Sequence, residues 1–233
     1  MGRLFVVTDQ LPMFPLNTVL FPGMTMELHV FEDRYRALVH HLLTIPDKSQ
    51  RLFGVVAIRE GYEVGSHGVQ SLHRVGCVAQ MTTVEPADDG RFDIEVVGRE
   101  RFRLEAVDAS GPYLVSTVET MSDASDPAAG PSSASEQAAR ARETFGTYRT
   151  RLSEVRGADV LDVELPADPV FLSYTLAATC LLTLRERQAL LETGSADERL
   201  MMLRHAMHEE MRAMRAIPSL PATEVSRTGW SPN

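Results

Sequence analysis

Leu11-Pro12-Met13-Phe14-Pro15-Leu16 and Val19-Leu20-Phe21-Pro22-Gly23-Met24 are strongly apolar, yet prolines break into them repeatedly. Proline has no amide hydrogen to give to a ladder, so such a stretch belongs at the rim of a β structure. It runs directly into Met24, Met26, Leu28 and Val30, which alternate with Thr25, Glu27, His29 and Phe31. That period of two predicts a strand with one face buried and the other wet. Prolines leave nearby carbonyls without ladder partners, and methionine side chains adapt to varied shapes. The segment is therefore a candidate edge for an extended peptide. Ordinary core packing and edge protection is the competing reading of the same residues.

Downstream, Glu32 to Leu43 places Tyr35, Leu38, Val39 and Leu42 at helical spacing, with acids at its start and Pro46 just beyond its end. Leu52 to Ile58 is a short Val-rich run that suits a strand covered on both sides. Val75 to Val84 and Phe92 to Val97 flank Pro86-Ala87-Asp88-Asp89-Gly90 and are expected to pair as a hairpin. A second turn is expected at Gly98-Arg99-Glu100, before Phe102 and Leu104 alternate with Arg101, Arg103 and Glu105 on a wet strand face. Pro112 introduces a last strand, Tyr113 to Glu119. So many strands at close spacing mean a barrel or a sandwich.

From Met121 to Ser135 the composition shifts to Ala, Ser, Pro, Gly and Asp with no apolar period, as in a linker. Helical signals follow. A helix is expected from Glu136 to about Arg156, and Asp168-Pro169 caps another through Leu182. Thr183 with Glu186 and Ser195 with Glu198 are capping boxes. Leu200, Leu203, Met207, Met211 and Met214 form an apolar stripe on the last helix. The expected organisation is a β-rich unit over 1–120, a linker over 121–135, a helical bundle over 136–216 and a flexible tail over 217–233.

The 233 residues allow one large or two small domains, and 44% hydrophobic with 24% charged residues is an ordinary globular composition. No uncharged apolar stretch reaches the roughly 18 residues that a bilayer requires. No secretory signal is expected at the start, because Leu4 to Val7 is too short for its apolar region and Asp9 follows. The expected compartment is the cytoplasm. The net charge of −9 repels phosphate backbones and anionic lipids, so neither nucleic acid nor membrane is expected as a partner.

Lys48 is the one lysine beside 22 arginines, and it lies in a loop without the glycines of a phosphate-binding turn. Gly65-Ser66-His67-Gly68 sets Ser and His side by side in a turn, where they are rarely aimed at each other. His73 and Cys77, four apart on a strand, share a face at too long a separation for a direct bond, and Cys77 and Cys180 read as buried free thiols. His205, His208 and Glu209 share a helix face, but a solvated face explains them as well as a metal site does. His40 and His41 are adjacent and point apart. No catalytic residue, metal or cofactor is expected.

The proline-rich opening also carries a family resemblance. Leu11 to Gly23, then Met26-Glu27-Leu28-His29-Val30-Phe31-Glu32-Asp33-Arg34-Tyr35-Arg36, resemble the start of the Lon protease amino-terminal, substrate-binding domain. Phe53-Gly54-Val55-Val56, Arg74 to Ala79 and Val97 to Arg103 continue the resemblance. It then runs into the helical half through Asp168 to Leu182, Arg187 to Glu192 and Glu198-Arg199-Leu200. It covers about residues 8 to 215, with the linker as the main divergence.

The resemblance implies an α+β fold: a PUA-like β pseudo-barrel with one inserted helix, followed by a C-terminal α-helical bundle. It also implies a grip on unfolded or degron-bearing polypeptides. Because the sequence stops at Asn233, room for an ATPase or a Ser-Lys protease domain is not expected, so proteolysis is not carried over. The expected role is non-enzymatic polypeptide binding, as an adaptor or regulator of proteolysis. Its expected contacts are exposed apolar positions, Phe14, Phe21, Pro22, Met24 and Met26, with Arg34 and Tyr35 on the neighbouring helix. A small-molecule binder or enzyme with a pocket between barrel and bundle is the alternative. RNA binding, by analogy with PUA-like barrels, is opposed by the acidic charge.

Overall fold

A computed structural model describes residues 9–59, 72–123 and 131–216. The Gly65 to Gly68 turn, residues 124–130 of the expected linker and the tail from Ile217 lie outside the described residues. The chain divides into two compact units, Met1–Ser122 and Asp123–Asn233.

The first unit contains β1 (Asp9–Leu16), β2 (Thr25–Val30), α1 (Asp33–Leu43), β3 (Leu52–Ile58), β4 (Leu72–Pro86), β5 (Phe92–Asp108) and β6 (Val115–Met121). The sheet order is β2-β5-β4-β3-β1-β6, and β5 also pairs with β6. That extra pairing closes five strands into a barrel and, among the described residues, leaves β2 attached to β5 alone. β5 does both jobs because it is long. Its first half, Phe92 to Val97, pairs with β2 and its second half, Arg101 to Asp108, with β6. Irregular register near Cys77, Met81 and Leu104 supplies the bending that closure requires.

The turn expected at Gly98-Arg99-Glu100 is instead the middle of β5. The glycine is needed there for close approach: a Cβ on Gly98 would lie 2.2 Å from the Phe21 carbonyl oxygen. Gly98 also donates its N–H to the Met24 carbonyl at 2.9 Å and accepts from the Gly23 N–H at 2.8 Å. β1 and β3 run parallel, Met13 opposite Gly54, a pairing that the crossover through β2 and α1 makes possible.

Both faces of β3 are covered, as its Val-rich sequence implies. Phe53 and Val55 join a core with Phe14, Leu20, Leu28, Val30, Ile94 and Val96, which Tyr35, Leu38, Val39 and Leu42 of α1 complete. Val56 and Ile58 join the other core, with Leu11, Met13, Phe102, Leu104 and Val118. The side chain of Phe102 fills space that Gly76 leaves open, since a Cβ there would come within 2.4 Å of the ring. Arg101, expected on the wet face, is buried, and its Nη2 donates to the Ser122 carbonyl at 3.3 Å.

The second unit is helical: α2 (Pro131–Arg156), α3 (Pro169–Thr179), α4 (Leu184–Glu192) and α5 (Ala196–Ala216). α2 begins earlier than the Glu136 that the periodicity suggests, with Pro131 in its first turn, where proline costs no hydrogen bond. α3 ends at Thr179, short of Leu182, and Asp168 caps it by accepting from the Phe171 N–H at 3.0 Å. The Thr183–Glu186 capping box opens α4. Leu200, Leu203, Met207, Met211 and Met214 are all buried, and α5 packs along α2. No described helix is long and apolar enough to cross a membrane.

Candidate functional site

The positions expected to form an exposed apolar edge are divided by the fold. Phe14 is buried and stacks on Tyr35 with ring centroids 4.0 Å apart. Phe21, 1% exposed, and Pro22 are buried as well, because Val19 to Pro22 fold back and close the core beneath β5. Four of the seven expected contacts, Phe14, Phe21, Pro22 and Tyr35, therefore offer no side-chain surface. Sealing a core and gripping a peptide call for the same apolar residues, and here the core takes them. Met24 and Met26 are half-buried, with Met26 packed against the α1 side of the core. Arg34 is held locally, 2.8 Å from Glu32 and with its guanidinium 4.5 Å above the Tyr35 ring.

Among the described residues the most exposed large apolar side chain is Phe31, with 64% of its surface accessible, ahead of Phe171 and Met201 in the helical unit. Burial along β2 explains it: Leu28 and Val30 point inward, whereas Thr25, Glu27 and His29 are exposed, and Phe31 continues the outer phase. An aromatic in the polar register of an alternating strand was the available signal. Beside it lies a small depression of about 180 Å³ lined by His29, Val30, Phe31, Ala87, Arg91, Phe92 and Asp93. His29 Nδ1 is 2.5 Å from Asp93 Oδ1 across the β2–β5 ladder, and Arg91 is held by Asp89 at 2.6 Å. The outer edge of β2 has no strand partner among the described residues.

Together these features form a strand edge without a strand partner among the described residues, with an aromatic at its end and carboxylates along its face. Such an arrangement can hold an extended chain.

The other candidates have structural explanations. Burial pushes the Cys77 thiol up to about 12, and the Cys180 thiol likewise, so neither supplies a thiolate near neutral pH. Glu209 binds Arg212 at 2.5 Å and lies 4.0 Å from His205. No group of three potential metal ligands occurs among the described residues. His40 meets the Phe92 ring edge-on at 5.0 Å. Arg99 donates from Nε to Gln80 Oε1 at 2.7 Å, and Asp89 caps its turn by accepting from the Arg91 N–H at 3.2 Å.

In the helical unit, Arg199 is 0% exposed. Its Nε donates to Ser173 Oγ at 2.9 Å, and its Nη1 donates to Asp123 at 2.6 Å and to the Thr193 carbonyl at 2.9 Å. Its guanidinium lies 4.2 Å above the Tyr174 ring, whose hydroxyl is 3.0 Å from Asp123. Composition gave no sign of this charge cluster, which ties α3 and α5 to Asp123. A broad concavity of about 660 Å³ lies on α2 and the end of α5, lined by Glu143, Thr147, Arg151, Glu154 and Arg215 among others. Two of its charges pair with each other, Arg151 donating to Glu154 at 2.7 Å.

The model of the ATP-dependent protease La (LON) substrate-binding domain matches residues 10–209. The chain is 29% identical over 208 residues to Lon protease 2 of Herpetosiphon aurantiacus, covering 88% of this chain and 24% of that protein. It is 25% identical over 213 residues to Lon protease of Escherichia coli K12, covering 87% of this chain and 25% of that protein. The chain thus spans about a quarter of the length of these relatives. Among solved structures it is similar to a Lon N-terminal domain protein from Xanthomonas campestris. That match has a TM-score of 0.56 and 25% identity and covers 84% of this chain and 96% of the other. The fold is also that of the N-terminal domain of Mycobacterium avium complex Lon protease, with a TM-score of 0.64 and 20% identity, covering 86% and 98%.

Proposed function

The chain belongs to the ATP-dependent protease La (LON) substrate-binding domain family, and from that premise we propose that it holds polypeptide segments without acting on them chemically, as an adaptor or regulator of proteolysis. The observation that carries this reading is Phe31, a 64% exposed aromatic at the end of a strand edge that has no strand partner among the described residues. A large exposed apolar group beside unused backbone donors and acceptors suits a chain that brings both side chains and amides. Met24 and Arg34, both half-buried, border the same strand, while Met26 packs against the core. The net charge of −9 fits a protein partner in the cytoplasm better than nucleic acid or an anionic membrane.

The test is titration of the purified protein against an unfolded, alkylated model protein. Saturable binding that weakens about tenfold in Phe31→Ser is expected. No binding, or binding indifferent to Phe31, would refute the reading.

A further inference from the structure

Resting on that reading, we propose that β2 takes up its client by strand addition and selects extended segments in which an arginine or lysine lies four residues from an apolar side chain. Gly98 donates to the Met24 carbonyl, and antiparallel partners alternate between bonded and non-bonded pairs. With Met26 opposite Val96 and Leu28 opposite Ile94, the amides of Met26, Leu28 and Val30 turn toward β5. Those of Thr25, Glu27 and His29 turn toward the open side. An incoming strand therefore meets a short row of donors and acceptors with no proline or lysine to block it.

The side chains determine what the strand carries. Glu27 lies directly opposite Glu95, and Asp93 lies between His29 on one side and Glu85 on the other. Like charges facing each other across a ladder repel. Among the described residues, no arginine or lysine forms an ion pair with Glu27, Glu85 or Glu95. A cation on the incoming strand beside Glu27 relieves that repulsion. A second copy of β2 pairing about Glu27 would add two more carboxylates, so the same charges disfavour self-association. Phe31 lies four residues beyond Glu27 in the same outer phase, next to the 180 Å³ depression. An extended partner with its cation at Glu27 thus brings a residue four positions away over the aromatic.

The test uses fluorescein-labelled extended peptides in a Gly/Ser/Thr background with one Phe and one Arg, binding the full chain by fluorescence anisotropy. The peptide with Phe and Arg four apart is expected to bind about tenfold more tightly than its Arg→Glu counterpart. Glu27→Arg, an exposed change whose folding is checked by its melting temperature, is expected to reverse that preference. Methylating the peptide amides that face β2 is expected to reduce binding by at least tenfold. Equal binding of the Arg and Glu peptides, or undiminished binding after methylation, overturns the proposal while leaving polypeptide holding intact. Failure of every peptide, together with failure of unfolded protein to bind, refutes the holding reading itself. Sedimentation as a dimer that peptide does not dissociate assigns the edge to a second copy and overturns the proposal too.

Discussion

Phe31 and Tyr35 lie four residues apart and look equally suited to an aromatic grip, but the fold gives them opposite roles. Phe31 is 64% exposed, so only about a third of its surface is withdrawn from water. Fully burying a phenylalanine contributes about 1.5–3 kcal/mol, which makes the stability lost in Phe31→Ser about 1 kcal/mol or less. Tyr35 is 5% exposed, and its ring stacks on Phe14 at 4.0 Å in the core beneath α1. Truncating it removes buried area and leaves a cavity, so Tyr35→Ser should cost about 3–5 kcal/mol. Urea unfolding followed by circular dichroism measures both changes. Anisotropy with an aromatic-containing peptide should show the reverse ranking: Phe31→Ser loses about tenfold in affinity, and Tyr35→Phe, which keeps the stack, loses none. If Phe31→Ser destabilises the protein as much as Tyr35→Ser, or if Tyr35→Phe alone weakens peptide binding, the division between core and contact surface is wrong.

Arg199→Ala should destabilise the helical unit by about 3–5 kcal/mol in guanidinium titrations, because Asp123 and Ser173 lose a fully buried partner. Gly98→Ala should lower stability by about 1–3 kcal/mol in thermal melts, since its methyl group must push the Phe21 carbonyl away. Cys77 and Cys180 should both resist a disulfide-exchange reagent at pH 8 in the native protein and react at once in denaturant. Burial holds both thiols at about 12, so the thiolate fraction at pH 8 is small and grows only as pH rises toward that value.

Much of the barrel was legible because its signals are local. Alternation in Met24 to Phe31 marks β2, the Val-rich run from Leu52 marks a strand buried on both faces, and the Thr183–Glu186 box marks the start of α4. The closure of the barrel was not legible. It depends on β5 running straight through Gly98, and Gly-Arg-Glu looks like a turn unless the Phe21 carbonyl above it is known. Arg101 and Arg199 were missed for a related reason: arginine is ordinarily solvated, and only a specific set of tertiary partners makes its burial tolerable. Of the candidate site, alternation locates the strand β2, but Phe14, Phe21 and Pro22, expected at the surface, are buried in the fold. Phe31, the most exposed aromatic among the described residues, shares the phase of the polar positions Thr25, Glu27 and His29, and alternation alone does not set it apart from them.

Amide hydrogen exchange of the full chain, with and without a saturating Phe/Arg peptide, tests the strand-edge account most directly. Without peptide, Met26, Leu28 and Val30 should already be protected by β5, whereas Thr25, Glu27 and His29 exchange rapidly. With peptide, Thr25, Glu27 and His29 should become protected together, by at least tenfold. Bound peptide that leaves those three amides exchanging as before would contradict it.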